Sequence, residues 1–243
     1  MKLAALQPGY FPWLGFFDQI YHADLFIIYD DLQYTRKDWR NRNRIKTSHG
    51  PMWLTVPVVS KGAHRKRICD IAIAPDRRWA ARHWQALKTN YAKAPFLSQH
   101  AYFLKDLYGR PWRYLSRLNR EIIDYCLDRL SIRTEVLYAS DHCLEQDYLR
   151  QCEGKTDATQ RIVFLCNRFG AKSFLEGASG KKYIKERVLK DAGIDFQYHD
   201  YPHPRYRQRF GPFIPYLSIV DLMFNHGDES LNILTHGAAG KRE

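Results

Sequence analysis

The chain predicts an α/β fold, a three-layer sandwich built on a mainly parallel sheet. Three observations carry that expectation. Apolar runs of strand length alternate with helical-period segments through most of the 243 residues. A composition of 45% hydrophobic and 14% aromatic residues is enough for a sizeable core and excludes a disordered chain. The opening reads as strand, Pro/Gly turn, helix and strand, the order of a βαβ unit.

Taken in order, Leu3 to Leu6 is the first strand, and Gln7-Pro8-Gly9-Tyr10-Phe11-Pro12-Trp13 is a tight turn. A helix from Leu14 to Ala23 and a strand from Leu25 to Tyr29 complete the opening unit. Residues 51–58 form a strand whose prolines suit its ends or a sheet edge. A basic loop follows at 60–67, and 68–74 reads as another short strand. Trp79, His83, Ala86, Leu87 and Asn90 then share a helical face that Pro95 terminates. From near Pro111, Leu115, Leu118, Ile122, Cys126 and Leu130 make a second apolar stripe. The stretch 79–130 is thus a helix-rich layer or insertion. Residues 134–139 return to a strand, and 143–155 are a loop or short helix. Thr156 is a suitable N-cap for a helix through Ile162, Leu165 and Phe169, with Gly170 as its stop. A strand at 171–175, a Gly/Ser loop at 176–183 opening a helix to Gly193, and a strand at 194–198 follow. An extended segment at 201–206 and a helix at 218–225 close the chain. We expect one α/β domain over 1–236 and a disordered tail at 237–243.

Charge and composition narrow the functional classes. Net charge is +12, from 38 Lys and Arg against 26 Asp and Glu, which suits nucleic acid, phosphate-bearing substrates or an anionic surface. No apolar run has the length to span a bilayer, and Gln7-Pro8 arrives before a secretory core could form. A cytoplasmic location is the expectation. The five cysteines have no C-x-x-C spacing, and no H-x-x-x-H or H-E-x-x-H pattern falls on an expected helix, so no metal site is indicated. There is no Gly-x-Ser-x-Gly elbow for a hydrolase triad.

The candidate binding residues fall into three groups. Gln7, Tyr10 and Trp13 lie in the opening turn. Gln33, Arg40, Asn41, Arg42, Asn43 and Arg44 lie just after the second strand, where guanidinium forks and amides suit phosphate or carboxylate. A solvated basic hairpin is the competing reading. Ser179, Gly180 and Lys181 open a later helix, a place for an anion or a plain capping loop. The catalytic candidates are His203, held between two prolines, and Asp31. Asp30 and Asp31 follow a strand and point to opposite faces, so one of them orients an arginine, binds Mg²⁺ with a phosphate, or caps the strand end.

Several stretches together resemble the WbqC-like family. They are Gln7-Pro8-Gly9-Tyr10-Phe11-Pro12-Trp13-Leu14-Gly15, Asp30-Asp31-Leu32-Gln33-Tyr34 with Asp38-Trp39-Arg40-Asn41-Arg42-Asn43-Arg44-Ile45, and Trp53-Leu54-Thr55-Val56-Pro57-Val58. Ser179-Gly180 with Tyr183, and Phe213-Ile214-Pro215 with Leu217-Ser218-Ile219-Val220-Asp221-Leu222, complete the match. The resemblance implies a role in O-antigen or capsule assembly, with glycyl transfer as one activity suggested in the family. The opening turn is also similar to that of the HIGH-type nucleotidyltransferases, which implies a HUP/Rossmann-like sheet. Trp13 and Phe16 stand where those enzymes carry the two histidines of His-x-Gly-His, and Ser179-Gly180-Lys181-Lys182 is weakly similar to their mobile Lys-Ser loop.

The function expected from these readings is a transferase that adds an aminoacyl, or glycyl, group to a nucleotide-sugar or saccharide intermediate. The donor would be aminoacyl-tRNA or a carrier-protein thioester. The alternatives are a nucleotide-dependent ligase or nucleotidyltransferase using ATP and Mg²⁺, and a non-catalytic RNA- or nucleotide-binding module.

Overall fold

The structure, a computed structural model, describes residues 1–76 and 78–236; the expected tail at 237–243 lies outside them. Contacts divide the chain into two compact units. The first is made of Met1–Gln7, Asp18–Leu32 and Arg133–Tyr201; the second of Pro8–Phe17, Gln33–Ile132 and the chain from Pro202.

The first unit is the α/β part. Its strands are β1 (Lys2–Leu6), β2 (Leu25–Ile28), β5 (Glu135–Tyr138), β6 (Ser173–Gly177) and β7 (Asp195–His199), in the spatial order β5-β2-β1-β6-β7. Every pairing is parallel, and the registers include Leu3↔Leu25, Ala4↔Leu175 and Gly177↔His199. Strands buried on both faces need apolar residues at successive positions, and Leu25-Phe26-Ile27-Ile28 supplies them. Leu3, Leu25, Ile27 and Phe174 project into one core with Leu144, Tyr148, Ile162, Leu165 and Leu189. Those last five come from α5 (Leu144–Gln151), α6 (Ala158–Phe169) and α7 (Glu186–Asp191). The alternate residues Ala4, Phe26 and Ile28 face the other way and are also buried. Helices therefore flank a five-stranded parallel sheet, as in a three-layer Rossmann-like sandwich. Helix α1 (Leu14–Tyr21) follows β1, and the boundary between units falls within it. The N-cap of α6 is Asp157, one residue beyond the expected Thr156, because its carboxylate accepts from the Thr159 and Gln160 amides. Gly170 ends that helix at φ 65, the left-handed conformation a C-terminal stop requires.

The second unit holds an antiparallel hairpin, β3 (Arg42–Thr47) with β4 (Gly50–Thr55). It also holds helices α2 (Arg78–Tyr91), α3 (Leu97–Gly109), α4 (Leu115–Arg129), α8 (Ile219–His226) and α9 (Ser230–His236). The stretch expected to be helix-rich, 79–130, falls in this unit. Residues 68–74 are not the expected strand. Ile68–Asp70 is a 3-10 turn closed by Arg67, whose Nε donates to Asp70 at 2.7 Å, and only the isolated bridges of Ala72 and Ile73 are strand-like. A buried polar network organises the unit. Asp221 accepts from the Tyr91 hydroxyl at 2.7 Å and the Tyr206 hydroxyl at 2.9 Å. The Lys46 ammonium donates to Pro212 O at 2.6 Å and Gln208 Oε1 at 3.1 Å.

Candidate functional site

Numbered by their own order in the chain, the five parallel strands run 3-2-1-4-5 across the sheet. The direction of winding reverses between β1 and β6. In open sheets of this kind a crevice forms outside the carboxyl ends of the two strands at the reversal. Gln7 directly follows β1, and Gly177 ends β6. Gly177 lies close to Leu6 and Gln19, since a Cβ there would come within 3.9 Å of both side chains. The Gln19 amide is fixed by donating to Leu175 O at 2.8 Å.

Beside Gly177, across the β6–β7 register, is His199. Its Nε2 meets Asp18 Oδ2 at 2.6 Å, and His22 Nε2 lies 3.6 Å from the other Asp18 oxygen. The Asp18 and His199 side chains are 6% and 11% exposed, so the pair is dry enough to hold its geometry and still reachable. Tyr201 stacks on the imidazole with ring centres 5.7 Å apart. With Nε2 committed to the carboxylate, Nδ1 is the nitrogen left for a substrate. A histidine held by a buried carboxylate is the orientation device of general-base sites.

Glu176 occupies the last interior position of β6, and strand alternation sends it to the face opposite Gly177. Burial pushes its carboxyl up to about 7, against hydrogen bonds from Tyr183 and the Gly177 amide that favour the ionised form. The turn Ala178–Lys182 lies over it. A Cβ on Gly180 would come within 2.3 Å of Glu176 Cγ, so only glycine lets the turn lie this close. Ser179 and Gly180 thus follow the strand that borders the reversal, and Lys181 is paired with Asp200 at 2.6 Å.

Asp30 and Asp31 follow β2 and act as caps. Asp30 accepts from the Ser140 amide at 2.9 Å and its hydroxyl at 2.8 Å. Asp31 Oδ2 accepts from the Glu145 amide at 3.0 Å in the first turn of α5, while Oδ1 is buried without a hydrogen-bond partner among the described residues. Burial pushes the Asp31 carboxyl up to about 6.

In the second unit, the opening turn and the Arg/Asn cluster hold each other. Arg40 donates to Pro8 O at 3.1 Å, the Tyr10 amide to Trp39 O at 3.2 Å, and the Asn43 side chain to Phe11 O at 2.6 Å. Asn41 donates to Val56 O at 2.7 Å. Tyr10 is fully buried, its hydroxyl 2.6 Å from that of Tyr108 and 2.9 Å from His83 Nδ1. Trp13 lies over Gly15, where a Cβ would come within 2.2 Å of the indole, and stacks on His203. The Tyr216 amide donates to His203 Nε2 at 3.1 Å, and His203 Nδ1 lies 2.9 Å from Pro204 O. Both ring nitrogens therefore face backbone groups, and this pattern fixes the Nδ1–H tautomer.

Arg42 and Arg44 alternate with Asn43 on β3 and project to the other side. The Arg42 guanidinium lies 4.5 Å from the Trp53 ring, and Arg44 lies 5.8 Å from Trp39 and 5.6 Å from Trp53. Trp39 and Trp53, 41% and 43% exposed, are 5.3 Å apart. Gln33 donates from its amide to His64 O nearby in the chain's fold. Among the described residues no group of three or more His, Cys, Asp or Glu could hold a metal, and no helix is long and apolar enough to cross a membrane.

Sequence reading placed Gln7, Ser179 and Gly180 after the two strands that border the winding reversal, and it missed Asp18, Gln19, Glu176 and His199. The signal was present: His199 ends a strand, and carboxyl ends of parallel strands are where such folds place ligands. Asp18 was the one charged residue in a largely apolar helix, Leu14–Tyr21.

No solved structure matches the chain significantly. A curated relative from Mycobacterium tuberculosis (strain ATCC 25618 / H37Rv), described as "Uncharacterized protein Rv1507c", is 40% identical over 237 residues, covering 97% of this chain and 98% of its own length. The profile of the WbqC-like protein family matches residues 7–233. The chain belongs to the WbqC-like protein family.

Proposed function

We propose that this protein is a transferase of bacterial surface-polysaccharide assembly, adding an aminoacyl group, glycyl in the simplest case, to a nucleotide-sugar or saccharide intermediate. The observation that carries the reading is the Asp18–His199 pair beside Gly177, at the carboxyl edge of a 3-2-1-4-5 sheet. In this reaction an acceptor amine or hydroxyl attacks the carbonyl of an aminoacyl ester or thioester. A C–N or C–O bond forms, and the C–O or C–S bond to the donor breaks. His199 takes the acceptor's proton and returns it to the leaving alcohol or thiol. Asp18 holds the ring and stabilises its protonated form. Gln7 and the Ser179-Gly180 turn border the crevice that would hold the acceptor, and aminoacyl-tRNA or a carrier-protein thioester would be the donor. His203 and Asp31, the candidates by sequence, serve here as supports: one backs Trp13 and the other caps α5.

The test is turnover of nucleotide-sugars with each donor class. His199→Gln should lower the rate 100- to 10,000-fold, the usual worth of a general base. Asp18→Asn should lower the rate while leaving the KM for the acceptor within about twofold. Full activity in His199→Gln, or no transfer from either donor class, would sink the proposal. The same sheet order, with α1 starting at Leu14 directly after the turn, also favours a nucleotide-dependent ligase or nucleotidyltransferase. Release of pyrophosphate from ATP on addition of acceptor would select that reading instead.

A further inference from the structure

The second unit has a cavity of about 200 Å³ at the foot of the hairpin, lined by Tyr34, Arg36, Lys37, Arg42, Thr55 and Ser60 among others. Three of its lining residues are cationic, and none carries a carboxylate. The nearest acid in sequence, Asp38, is occupied: it accepts from the Thr35 hydroxyl and the Trp39 amide, each at 2.7 Å, and from Arg40 at 3.3 Å.

We infer that this cavity binds the phosphates of a nucleoside diphosphate, with Arg36, Lys37 and Arg42 as the phosphate ligands and the Trp39–Trp53 pair as the platform for the base. Four observations converge on it. Lys37 holds φ 59, a left-handed conformation that L side chains rarely adopt, and its carbonyl accepts from Arg42. The same Arg42 guanidinium lies over Trp53, so one side chain joins the cavity to the indole platform. The Arg42 Nε–H is buried with no acceptor among the described residues, a donor that a phosphate oxygen would satisfy. Sites for whole drug-sized ligands span roughly 300–1,000 Å³. A cavity of about 200 Å³ suits the phosphates and leaves the heterocycle outside. Two exposed tryptophans stand there, and base–indole stacking is sequence-tolerant.

This reassigns the anion chemistry of the cluster. Arg40 is held by Pro8 and Asp38, and Arg44 by the indoles and Tyr216 O. Arg42 alone of those three lines the cavity. A nucleotide-sugar acceptor of the acyl-transfer reading would share this nucleotide chemistry, but no residue of the Asp18–His199 pair takes part, so diphosphate binding and acyl transfer succeed or fail independently.

Titration calorimetry of the full chain with UDP, ADP, pyrophosphate and uridine tests it. UDP and ADP should bind, pyrophosphate about tenfold more weakly for want of a stacked base, and uridine not measurably. Arg36→Gln, Lys37→Gly and Arg42→Gln should each weaken UDP about tenfold. Lys37→Gly removes the ammonium and suits the left-handed backbone, so it keeps the fold. Lys105→Gln, an exposed cation on α3, is the control and should change nothing. Trp53→Ala should bring UDP down to the affinity of pyrophosphate. Uridine binding as well as UDP, no diphosphate binding at millimolar concentration, or unchanged UDP affinity in the three cation variants would each overturn the assignment. A short single-stranded RNA binding more tightly than UDP would overturn the mononucleotide class in favour of a polynucleotide groove.

Discussion

The two units differ in which buried groups set their response to pH. In the parallel-sheet unit the perturbed groups are carboxyls: burial pushes Glu176 up to about 7 and Asp31 up to about 6. In the hairpin and helical unit histidines are prominent, since burial pushes both His83 and His100 down to about 4, beside one carboxyl, Asp221, that burial raises. The physical cause is the same in both, since a low-dielectric interior disfavours whichever form is charged. The consequences for stability run in opposite directions. A carboxyl whose pKa is raised on folding stabilises the native state relative to high pH, and that contribution is lost as pH climbs from the unfolded value through the folded one. A histidine whose pKa is lowered contributes nothing adverse above its unfolded value. It destabilises the native state as pH falls from there, because the unfolded chain takes up protons the native state refuses. Glu176 and Asp31 thus make the first unit sensitive to alkali, and His83 and His100 add a sensitivity to acid in the second.

Glu176 gives the largest handle on that contrast. Its window runs from the ordinary value of 4.5 up to about 7. Glu176→Gln keeps the shape and removes the buried charge. It should stabilise the protein by about 3 kcal/mol in urea melts above pH 7, and by nothing below pH 4.5. A uniform effect across pH would break the comparison. His83→Gln probes the other unit, where the window runs from 6.5 down to about 4. At pH 5 the buried neutral imidazole costs about 2 kcal/mol relative to pH 8, and the glutamine variant should lack that acid slope. Amide exchange followed by unit sharpens the same point: β1 and β6 amides should lose protection on the alkaline side, and α2 and α3 amides on the acid side.

Smaller effects separate the two faces of β3. Asn43→Ala leaves Phe11 O without its 2.6 Å donor in a buried turn and should cost about 1–2 kcal/mol. Arg44→Gln loses long contacts to two half-exposed indoles and an exposed 3.3 Å hydrogen bond to Tyr216 O, and should cost under about 1 kcal/mol. Equal costs for the two would mean that strand alternation does not divide the cluster into structural and surface roles.

Much of the sheet unit was legible in the residues. Leu3 to Leu6 and Leu25 to Tyr29 are apolar runs, Ile194 to Tyr198 alternates apolar and polar residues, and each forms a strand within a residue or two of its expected ends. The hairpin was harder. Arg42-Asn43-Arg44-Ile45-Lys46-Thr47 has little strand-like composition, and its strand exists because Asn43, Ile45 and Lys46 find buried partners from distant parts of the chain. Helix α3 was missed because its buried positions, His100, Leu104, Leu107 and Tyr108, include a polar and an aromatic residue that dilute the apolar period. The Asp18–His199 pair was illegible for a different reason. Its members are 181 positions apart, and nothing in either local sequence announces the other.

By itself, then, the sequence determined the α/β alternation, the parallel sheet, the strand-turn-helix opening and the family to which the chain belongs. These depend on local periodicity and on short motifs, which are written in neighbouring residues. Only the tertiary structure decided which polar residues support the fold and which line a cavity. Asn43, Arg40 and Tyr10 satisfy buried backbone and hydroxyl groups, while Arg42 shares a cavity wall with Arg36 and Lys37. The reason is that a polar side chain takes its role from the partner it meets, and that partner is set by strand register and burial rather than by its neighbours in the chain.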